Sequence, residues 1–449
     1  MNSDDIRHLL HRTGFGVSNS QWQALAPLDF NTAVDLLVDG KSRADLITPP
    51  NWVTDKPLWT ISQRGWTTEQ RRTLRLDKRA KIAELRRWWI EQMLASPTPL
   101  QERMTLFWSN HFTTQYSKIY APMLVFRQHR QLRQHALGRF DHMLQAMLRD
   151  PAMLLYLDND KNRANNVNEN LARELMELFT LGEGNYTEKD VKEAARCLTG
   201  RTVERSTGDY LFARKRFDRG TKTVLGQRGN HDGDDLAALL LAQPATAERV
   251  VRKLWLEFIS LEPDESRVAS LAAAFRANNY DIARLLKALF KTPAFRENAN
   301  RGVLIKSPVE LFVGLMRPAV DGLSPKALSE RVSTLRAAKR LPNLFKQAGQ
   351  DLFDPPTVEG WPGGLEWIDS RTLLSREQTA RNLVVNLGTD SRRTNPYLNL
   401  EGPLRADGRR RGSLLAYLNA IDPVTNIPDS YTQQRLLLEL IRDPTVHLK

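Results

Sequence analysis

The sequence has 449 residues, of which 41% are hydrophobic and 26% are charged, and its formal net charge is +13 at neutral pH. This composition is typical of a globular protein with a substantial apolar core. Its single cysteine, Cys197, excludes a disulfide framework and a cysteine-based zinc site within one chain.

Long apolar runs and recognised catalytic signatures are both absent from the sequence. The sequence has no run of about 18 apolar residues, so it predicts no membrane-spanning helix. The first residues, MNSDDIRHLLHR, lack the apolar segment of a signal peptide. We therefore expect a cytoplasmic protein, or an exported one if a signal has been removed. No P-loop, Rossmann fingerprint, nucleophile elbow or zinc motif is present, which argues against several common enzyme classes.

The first hundred residues predict helices, one of them strongly basic. Residues 1–40 have the pattern of three helices, with Gly14 as a helix terminator rather than part of a phosphate loop. A long helix is predicted over about 68–95, with a ladder of basic residues that includes Arg71, Arg75 and Arg79. Such a helix could follow the phosphates of a nucleic acid. A solvated charged face explains the same pattern.

A histidine near the end of the next predicted helix is the first candidate for chemistry. His111 follows an apolar run, with Asn110 before it. An imidazole in that position can act as an acid, a base or a ligand. A structural histidine with satisfied hydrogen bonds fits the same sequence.

An acidic and amide-rich stretch follows, in the order expected of a calcium loop. Asp158, Asp160 and Asn162 occupy positions 1, 3 and 5 of a twelve-residue frame, and Glu169 occupies position 12. Oxygen ligands at these positions enclose Ca²⁺ in an EF-hand. Two positions depart from that motif: position 6 is Arg163 instead of glycine, and position 8 is polar. The alternative is a turn whose side chains bond to their own backbone.

The helix after this loop carries a polar stripe. Asn170, Arg173, Glu174 and Glu177 fall at spacings 0, 3, 4 and 7, which places them on one face of an α-helix. A stripe facing a cleft would let two carboxylates bind a metal or divide acid and base roles, with Arg173 holding substrate. A solvent-facing stripe with a local ion pair is the other interpretation.

Two later segments also suggest structure around a site. Residues 201–230 are the predicted β region, in which TVERSTGDYLFARKRF has the pattern of a small hairpin around a Ser-Thr-Gly-Asp turn. Asn230, Asp232 and Asp234 alternate, so they could supply oxygen ligands, although a helix capped by Asp234 is the favoured interpretation. Residues 351–376 are predicted to form a loop of Pro, Gly and Trp followed by a helix, and this loop either packs on the core or walls a pocket. Its possible pocket walls and rim groups are Trp361, Trp367, Asp354, Glu359 and Arg371.

Several blocks resemble one known family. NENLARELMELFTLGEGNYTEKDVKEAARCLTG resembles the signature of the large bacterial family catalogued as domain of unknown function number 1800. Further blocks agree in order: LLHRTGFG, WWIEQMLASPTPLQERMTLFWSNHF, KTVLGQRGNHDGDD, KLWLEF, KSPVEL and PPTVEGWPGG. The resemblance implies a mostly helical protein with a shared site around the matched polar residues, and supplies no catalytic assignment. The family's usual His-Asp pair before the Lys-Thr block is reduced here to Asp218, with His231 after it.

Together these observations predict a mainly α protein: one large multi-helical, bundle-like domain over residues 1–400 with at most one small hairpin, and a C-terminal basic loop and closing helix over 401–449. The leading functional hypothesis is an enzyme with an acidic, Ca²⁺- or Mg²⁺-dependent site that hydrolyses an anionic or sugar-like small molecule. Its metal ligands would be Asp158, Asp160, Asn162 and Glu169, and its catalytic groups Arg173, Glu174, Glu177 and His111. The alternative is a non-catalytic protein whose basic helices bind a polyanion such as nucleic acid or acidic polysaccharide.

Overall fold

Helices make up 63% of the described residues, which contain 22 α-helices and two small antiparallel sheets. The computed structural model describes residues 1–40, 45–55, 65–334, 341–386, 410–428 and 430–449. The predicted mainly α fold is confirmed. The predicted domain boundary at residue 400 and most of the basic loop at 405–412 lie outside the described residues.

Eleven helices precede the sheets. They are α1 Ser3–Thr13, α2 Asn19–Leu25, α3 Phe30–Asp39, α4 Thr68–Ala95, α5 Pro99–His111, α6 Tyr116–Ile119, α7 Pro122–His135, α8 Phe140–Met147, α9 Pro151–Tyr156, α10 Asn170–Glu174 and α11 Glu188–Cys197. The sequence sets their starts locally: Pro99 occupies the first turn of α5, and Thr187 with Asp190 forms the predicted capping box of α11. Gly14 ends α1, as expected.

Two hairpins follow α11. The predicted one pairs β1 Arg201–Val203 with β2 Tyr210–Phe212, and a second pairs β3 Lys222–Val224 with β4 Gln227–Gly229. The second exceeds the single hairpin expected from the sequence. Leu225 and Gly226 form its two-residue turn, both with positive φ. A two-residue turn of this kind usually has the sequence Asn-Gly or Asp-Gly, so the sequence Leu-Gly did not predict a hairpin.

The remaining helices complete one continuous apolar core. They are α12 Gly233–Ala242, α13 Pro244–Phe258, α14 Glu265–Ala277, α15 Ile282–Phe290, α16 Pro293–Arg296, α17 Pro308–Val320, α18 Pro325–Thr334, α19 Leu341–Gln347, α20 Ser370–Asn386, α21 Arg410–Leu418 and α22 Gln433–Arg442. Asp232, rather than the expected Asp234, caps α12. Among the described residues, no helix has both the length and the apolar character needed to cross a bilayer.

The end of α10 departs from α-helical geometry. Residues Leu175–Thr180 form a π-helical turn, in which Leu181 N donates to Met176 O at 2.8 Å. The turn packs against α13. Because a π turn changes the angular spacing of side chains, Glu177 is offset from the α-helical stripe predicted for Asn170, Arg173 and Glu174. Such turns occur frequently at functional sites.

Candidate functional site

A cavity of about 540 Å³ lies between α5, α13, the start of α17 and the loop at residues 359–367. This volume is within the range of small-molecule sites. Its wall is partly apolar, with Trp361 and Trp367 lining it as the sequence predicted. Its polar lining residues are Arg103, Asn110, His111, Lys253, Glu257, Ser307, Glu310, Gln350, Glu359, Glu366 and Lys449.

His111 lies at the C-terminal end of α5 with its ring almost fully buried, 4% exposed. Its Nε2 is 3.0 Å from the backbone oxygen of Phe179. Because a carbonyl oxygen only accepts, Nε2 must carry the hydrogen in this bond. Burial, followed by the charges of Lys253 and Arg249, holds the pKa of His111 well below its ordinary value. The ring is therefore neutral near pH 7, and its Nδ1 has a lone pair.

Lys253 on α13 supplies the partner of that lone pair. Its Nζ is 3.2 Å from His111 Nδ1 and 3.3 Å from the backbone oxygen of Leu178. Burial first, and then the charge of Arg249, lowers the pKa of Lys253 to about 7, although Glu359 acts in the opposite direction. An unprotonated amine has two hydrogens and one lone pair. With both hydrogens donated to these acceptors, the lone pair of Lys253 is left for a ligand in the cavity.

The π turn supplies the backbone acceptors that fix this pair. Leu178 O accepts from Lys253 and from Arg249 Nε, the latter at 3.1 Å, while Phe179 O accepts from His111. Carbonyls near the end of a helix lack intrahelical donors, so they are available to side chains from other helices. The π turn thus joins the family-like block that contains it to α5 and α13.

Three carboxylates lie near one another beside this pair. Burial, followed by the charges of Glu177 and Glu359, raises the pKa of Glu174. Glu177 accepts a hydrogen bond from Tyr186 Oη at 3.0 Å. Glu359 is exposed, lines the cavity, and acts electrostatically on both Lys253 and Glu174. Neither Glu174 nor Glu177 lines the cavity, so Glu359 is the carboxylate that links them electrostatically to the cavity lining.

The opposite wall is a buried ion network. Arg103 contacts Glu257 and lies 2.7 Å from Glu310, while Lys449 Nζ is 2.5 Å from Glu310 and 3.1 Å from Glu257. Although burial acts to raise it, the charges of Arg103 and Lys449 lower the pKa of Glu310. Each cation in this network has carboxylate partners, so the network stabilises the wall rather than offering a free charge to a ligand.

The loop that covers the cavity is held by Asn110. Its Oδ1 accepts a hydrogen bond from Trp361 N at 2.7 Å, and its Nδ2 donates to Trp361 O at 3.4 Å. Gly360 has a φ of +102°, and a Cβ at this residue would lie 2.1 Å from Asn110 Oδ1. A side chain therefore cannot be accommodated there, and the close approach positions Glu359 and Trp361 at the cavity.

The four residues predicted to bind a metal have protein partners instead. Asp158 lies 3.1 Å from Lys118 and 2.5 Å from Lys161, and Asp160 lies 3.2 Å from Arg205. The buried Asn162 amide donates to Asn159 Oδ1 and Ala195 O and accepts from Asn168 N. Glu169 is 3.4 Å from Arg173.

Nor do these oxygen atoms converge. Within the described ranges, no group of three or more His, Cys, Asp or Glu side chains is placed to hold a metal ion. Asn159–Lys161 forms a 3₁₀ turn, and Arg163 pairs with Asn166 in a β-bridge where a calcium loop would wrap its ion. This geometry gives Asp158, Asp160, Asn162 and Glu169 structural partners and does not favour the predicted calcium site.

Three other predicted site residues also lie elsewhere. Arg173 makes a bidentate pair with Glu188, at 2.7 and 2.8 Å, and does not line the cavity. Asp354 accepts from Ser117 N at 3.0 Å, and Arg371 lines a different surface cavity. The position of Arg173 therefore does not support its interpretation as a substrate ligand, because its guanidinium is already paired with the carboxylate of Glu188.

Sequence reasoning missed Lys253 and the ion network, although a signal was present. Lys253 and Glu257 belong to the block KLWLEF, and Glu310 belongs to KSPVEL. In both blocks the charged residues interrupt an otherwise apolar helix. A charge within an apolar pattern indicates either a buried ion pair or a functional group.

Four of the family-like blocks meet at this cavity. WWIEQMLASPTPLQERMTLFWSNHF contributes His111, KLWLEF contributes Lys253, KSPVEL contributes Glu310, and PPTVEGWPGG contributes Glu359. No curated protein and no solved structure matches the chain. A family model does, over residues 8–443, and this match spans all of these blocks. The chain therefore belongs to the family described as protein of unknown function (DUF1800).

Proposed function

We propose that this protein is an enzyme, and that its reaction centre is the amine of Lys253 in the cavity. The observation that carries the proposal is the placement of that nitrogen. It is half-buried, lines a cavity of small-molecule size, and gives its hydrogens to His111 and Leu178 O. Among the described residues, no carboxylate forms an ion pair with it.

The reaction that fits best is hydrolysis with Lys253 as general base. The Lys253 lone pair takes a proton from water as the water oxygen attacks the electrophilic atom of the substrate. The resulting ammonium is stabilised by His111 Nδ1, Leu178 O and the charge of Glu359. The ammonium then gives this proton to the leaving group, which restores the Lys253 amine.

Of the two substrate classes predicted from the sequence, an uncharged, sugar-like compound fits the cavity better than an anionic one. Three arginine or lysine residues line the cavity: Arg103, Lys253 and Lys449. Two of them are ion-paired to Glu257 and Glu310. Tryptophan walls with interspersed polar groups suit a ligand that presents both apolar faces and hydroxyls.

Activity measurements on matched lysine variants test the proposal. The substrates are p-nitrophenyl acetate, p-nitrophenyl glycosides and p-nitrophenyl phosphate. We expect turnover of an uncharged substrate to fall by about 100-fold or more in Lys253→Met, and to be unchanged in Lys326→Met, whose lysine is exposed outside the cavity. Turnover that survives in Lys253→Met, or that is confined to the phosphate ester, would contradict it.

A second candidate function rests on a different surface, the N-terminal half of α4. Residues 68–80 are mostly exposed, including Arg71, Arg75 and Arg79, and about 20 Å of basic helix is therefore accessible. This surface fits a polyanion such as nucleic acid or acidic polysaccharide. The candidate predicts salt-dependent heparin or DNA binding that Arg75→Glu/Arg79→Glu abolishes and Glu177→Gln does not. Equal binding by both variants would contradict it.

A further inference from the structure

The mouth of the cavity has an apolar lip. Leu256, Leu261 and Leu365 all line the cavity, yet 37%, 49% and 74% of their respective surfaces are exposed. The lip comes from two parts of the chain: the end of α13 with the segment after it, and the loop over the cavity. The two parts meet where a Cβ on Gly364 would lie 3.6 Å from a methyl of Leu261.

Single exposed leucines are ordinary on protein surfaces, but adjoining ones at a cavity mouth indicate a binding surface. The lip continues inward to Phe107 and Ile305, which are partly buried and line the same cavity. A ligand that reaches Lys253 therefore passes over apolar side chains. The mouth also has Glu359 and Glu366, which are exposed and form no ion pair with any described residue, and these carboxylates disfavour an anionic group there.

We propose that the substrate of this cavity carries an alkyl or acyl chain, which lies on the lip formed by Leu256, Leu261 and Leu365 while its polar end faces Lys253. This inference rests on the proposed function for the position of the reacting group, and adds the substrate class. The lip is assigned to the chain of the substrate because the lip and the Lys253 amine line one continuous cavity, so a ligand bound at Lys253 also reaches the lip.

Binding of a chain-length series tests this inference independently of turnover. The probes are butyl, hexyl and octyl β-D-glucoside below their micellar concentrations, titrated calorimetrically into the full-length protein. We expect the dissociation constant to fall about twofold or more for each added methylene, because burial of one methylene on a partly exposed lip recovers part of its transfer free energy.

Variants of exposed leucines separate the lip from non-specific binding. Leu261→Ser/Leu365→Ser should make the three glucosides bind with nearly equal affinity. Leu374→Ser should leave the chain-length dependence intact, because Leu374 is 65% exposed but lines a different cavity. Both lip leucines are substantially exposed, so their replacement leaves the core unchanged.

Three results would overturn the inference: no measurable binding of octyl glucoside, equal affinities in the unmodified protein, or a chain-length dependence that survives in Leu261→Ser/Leu365→Ser. Lys253→Met distinguishes this failure from failure of the proposed reaction. If the lip binds a chain, the affinity of Lys253→Met for the glucosides still depends on chain length. This holds even if the turnover of Lys253→Met shows that Lys253 is not the base.

Discussion

Buried neutral histidines should make this protein unstable in acid. His129 is 3% exposed and packed among the rings of Trp88, Trp89 and Phe353. Neither of its ring nitrogens has a hydrogen-bond partner among the described residues. Burial, followed by the charges of Arg133 and Arg130, lowers the pKa of His129 to about 3. Burial also lowers the pKa of His8 to about 3, with Arg12 as the next cause.

The direction and size of the effect follow from linkage. Below the unfolded pKa of 6.5, such a histidine is protonated in the unfolded state but stays neutral in the folded state. The stability that is present above pH 6.5 is therefore lost progressively as the pH falls toward 3. Each pH unit below 6.5 costs about 1.4 kcal/mol per histidine. At pH 5, His8 and His129 together should therefore lower the free energy of unfolding by about 4 kcal/mol.

Urea unfolding followed by tryptophan fluorescence at pH 7.5 and pH 5.0 measures this difference. The variant His129→Phe keeps a ring in the same aromatic cluster but cannot bind a proton. We expect it to reduce the difference by about 2 kcal/mol. His142→Gln alters an exposed histidine and should leave the difference unchanged. Equal stability at both pH values, or an unchanged difference in His129→Phe, would refute the reasoning.

Three further predictions concern the site and its surroundings. Gly360→Ala should lower the free energy of unfolding by about 1–3 kcal/mol from its positive φ alone, whereas Gly363→Ala, where a Cβ meets nothing within 4 Å, should be near neutral; equal urea midpoints for the two would contradict this. Glu310→Gln should cost about 3 kcal/mol or more, since Arg103 and Lys449 lose a buried partner; a loss as small as that of exposed Glu297→Gln, measured the same way, would argue against the network. Adding Ca²⁺ or EDTA should shift the melting temperature by less than about 1 °C; a larger shift would restore the calcium loop.

Local physics made most of the fold predictable. Helix starts depend on residues three or four apart, so Thr187 with Asp190 and Pro99 could be recognised from the sequence. The hairpin β1–β2 has a polar turn and was found, whereas β3–β4 turns at Leu225, a residue that rarely adopts positive φ. The structure shows what holds each strand pair, but the sequence revealed only the pair with ordinary turn chemistry.

The candidate site was less predictable because its parts come from distant segments. His111 and Glu359 could be singled out as polar residues beside apolar patterns. The charge of Lys253 within an apolar helix is also visible in the sequence, but its partner is not, since His111 lies 142 residues away and one sequence does not show which helices meet. The same limit applies to Asp158 and Asp160. Their spacing suits calcium, but Lys118 and Arg205 approach from other segments and take those oxygen atoms.

The most direct test of the central claim is the reactivity of Lys253 as a function of pH. The native protein is treated with trace acetic anhydride from pH 6 to 11, and acetylation of each lysine is measured by peptide mass spectrometry. Burial lowers the pKa of both Lys253 and Lys306 to about 7. Lys306 is 6% exposed and donates to the carbonyls of Leu418 and Val446.

We predict that Lys253 reaches half of its maximal reactivity near pH 7, because half of its amine is unprotonated at that pH and Lys253 lines the cavity. Lys306 should remain unmodified in the folded protein because reagent cannot reach it, and ordinary exposed lysines should react mainly near pH 10. Acetylation of Lys253 that begins only near pH 10, or that occurs only after unfolding, would contradict the account.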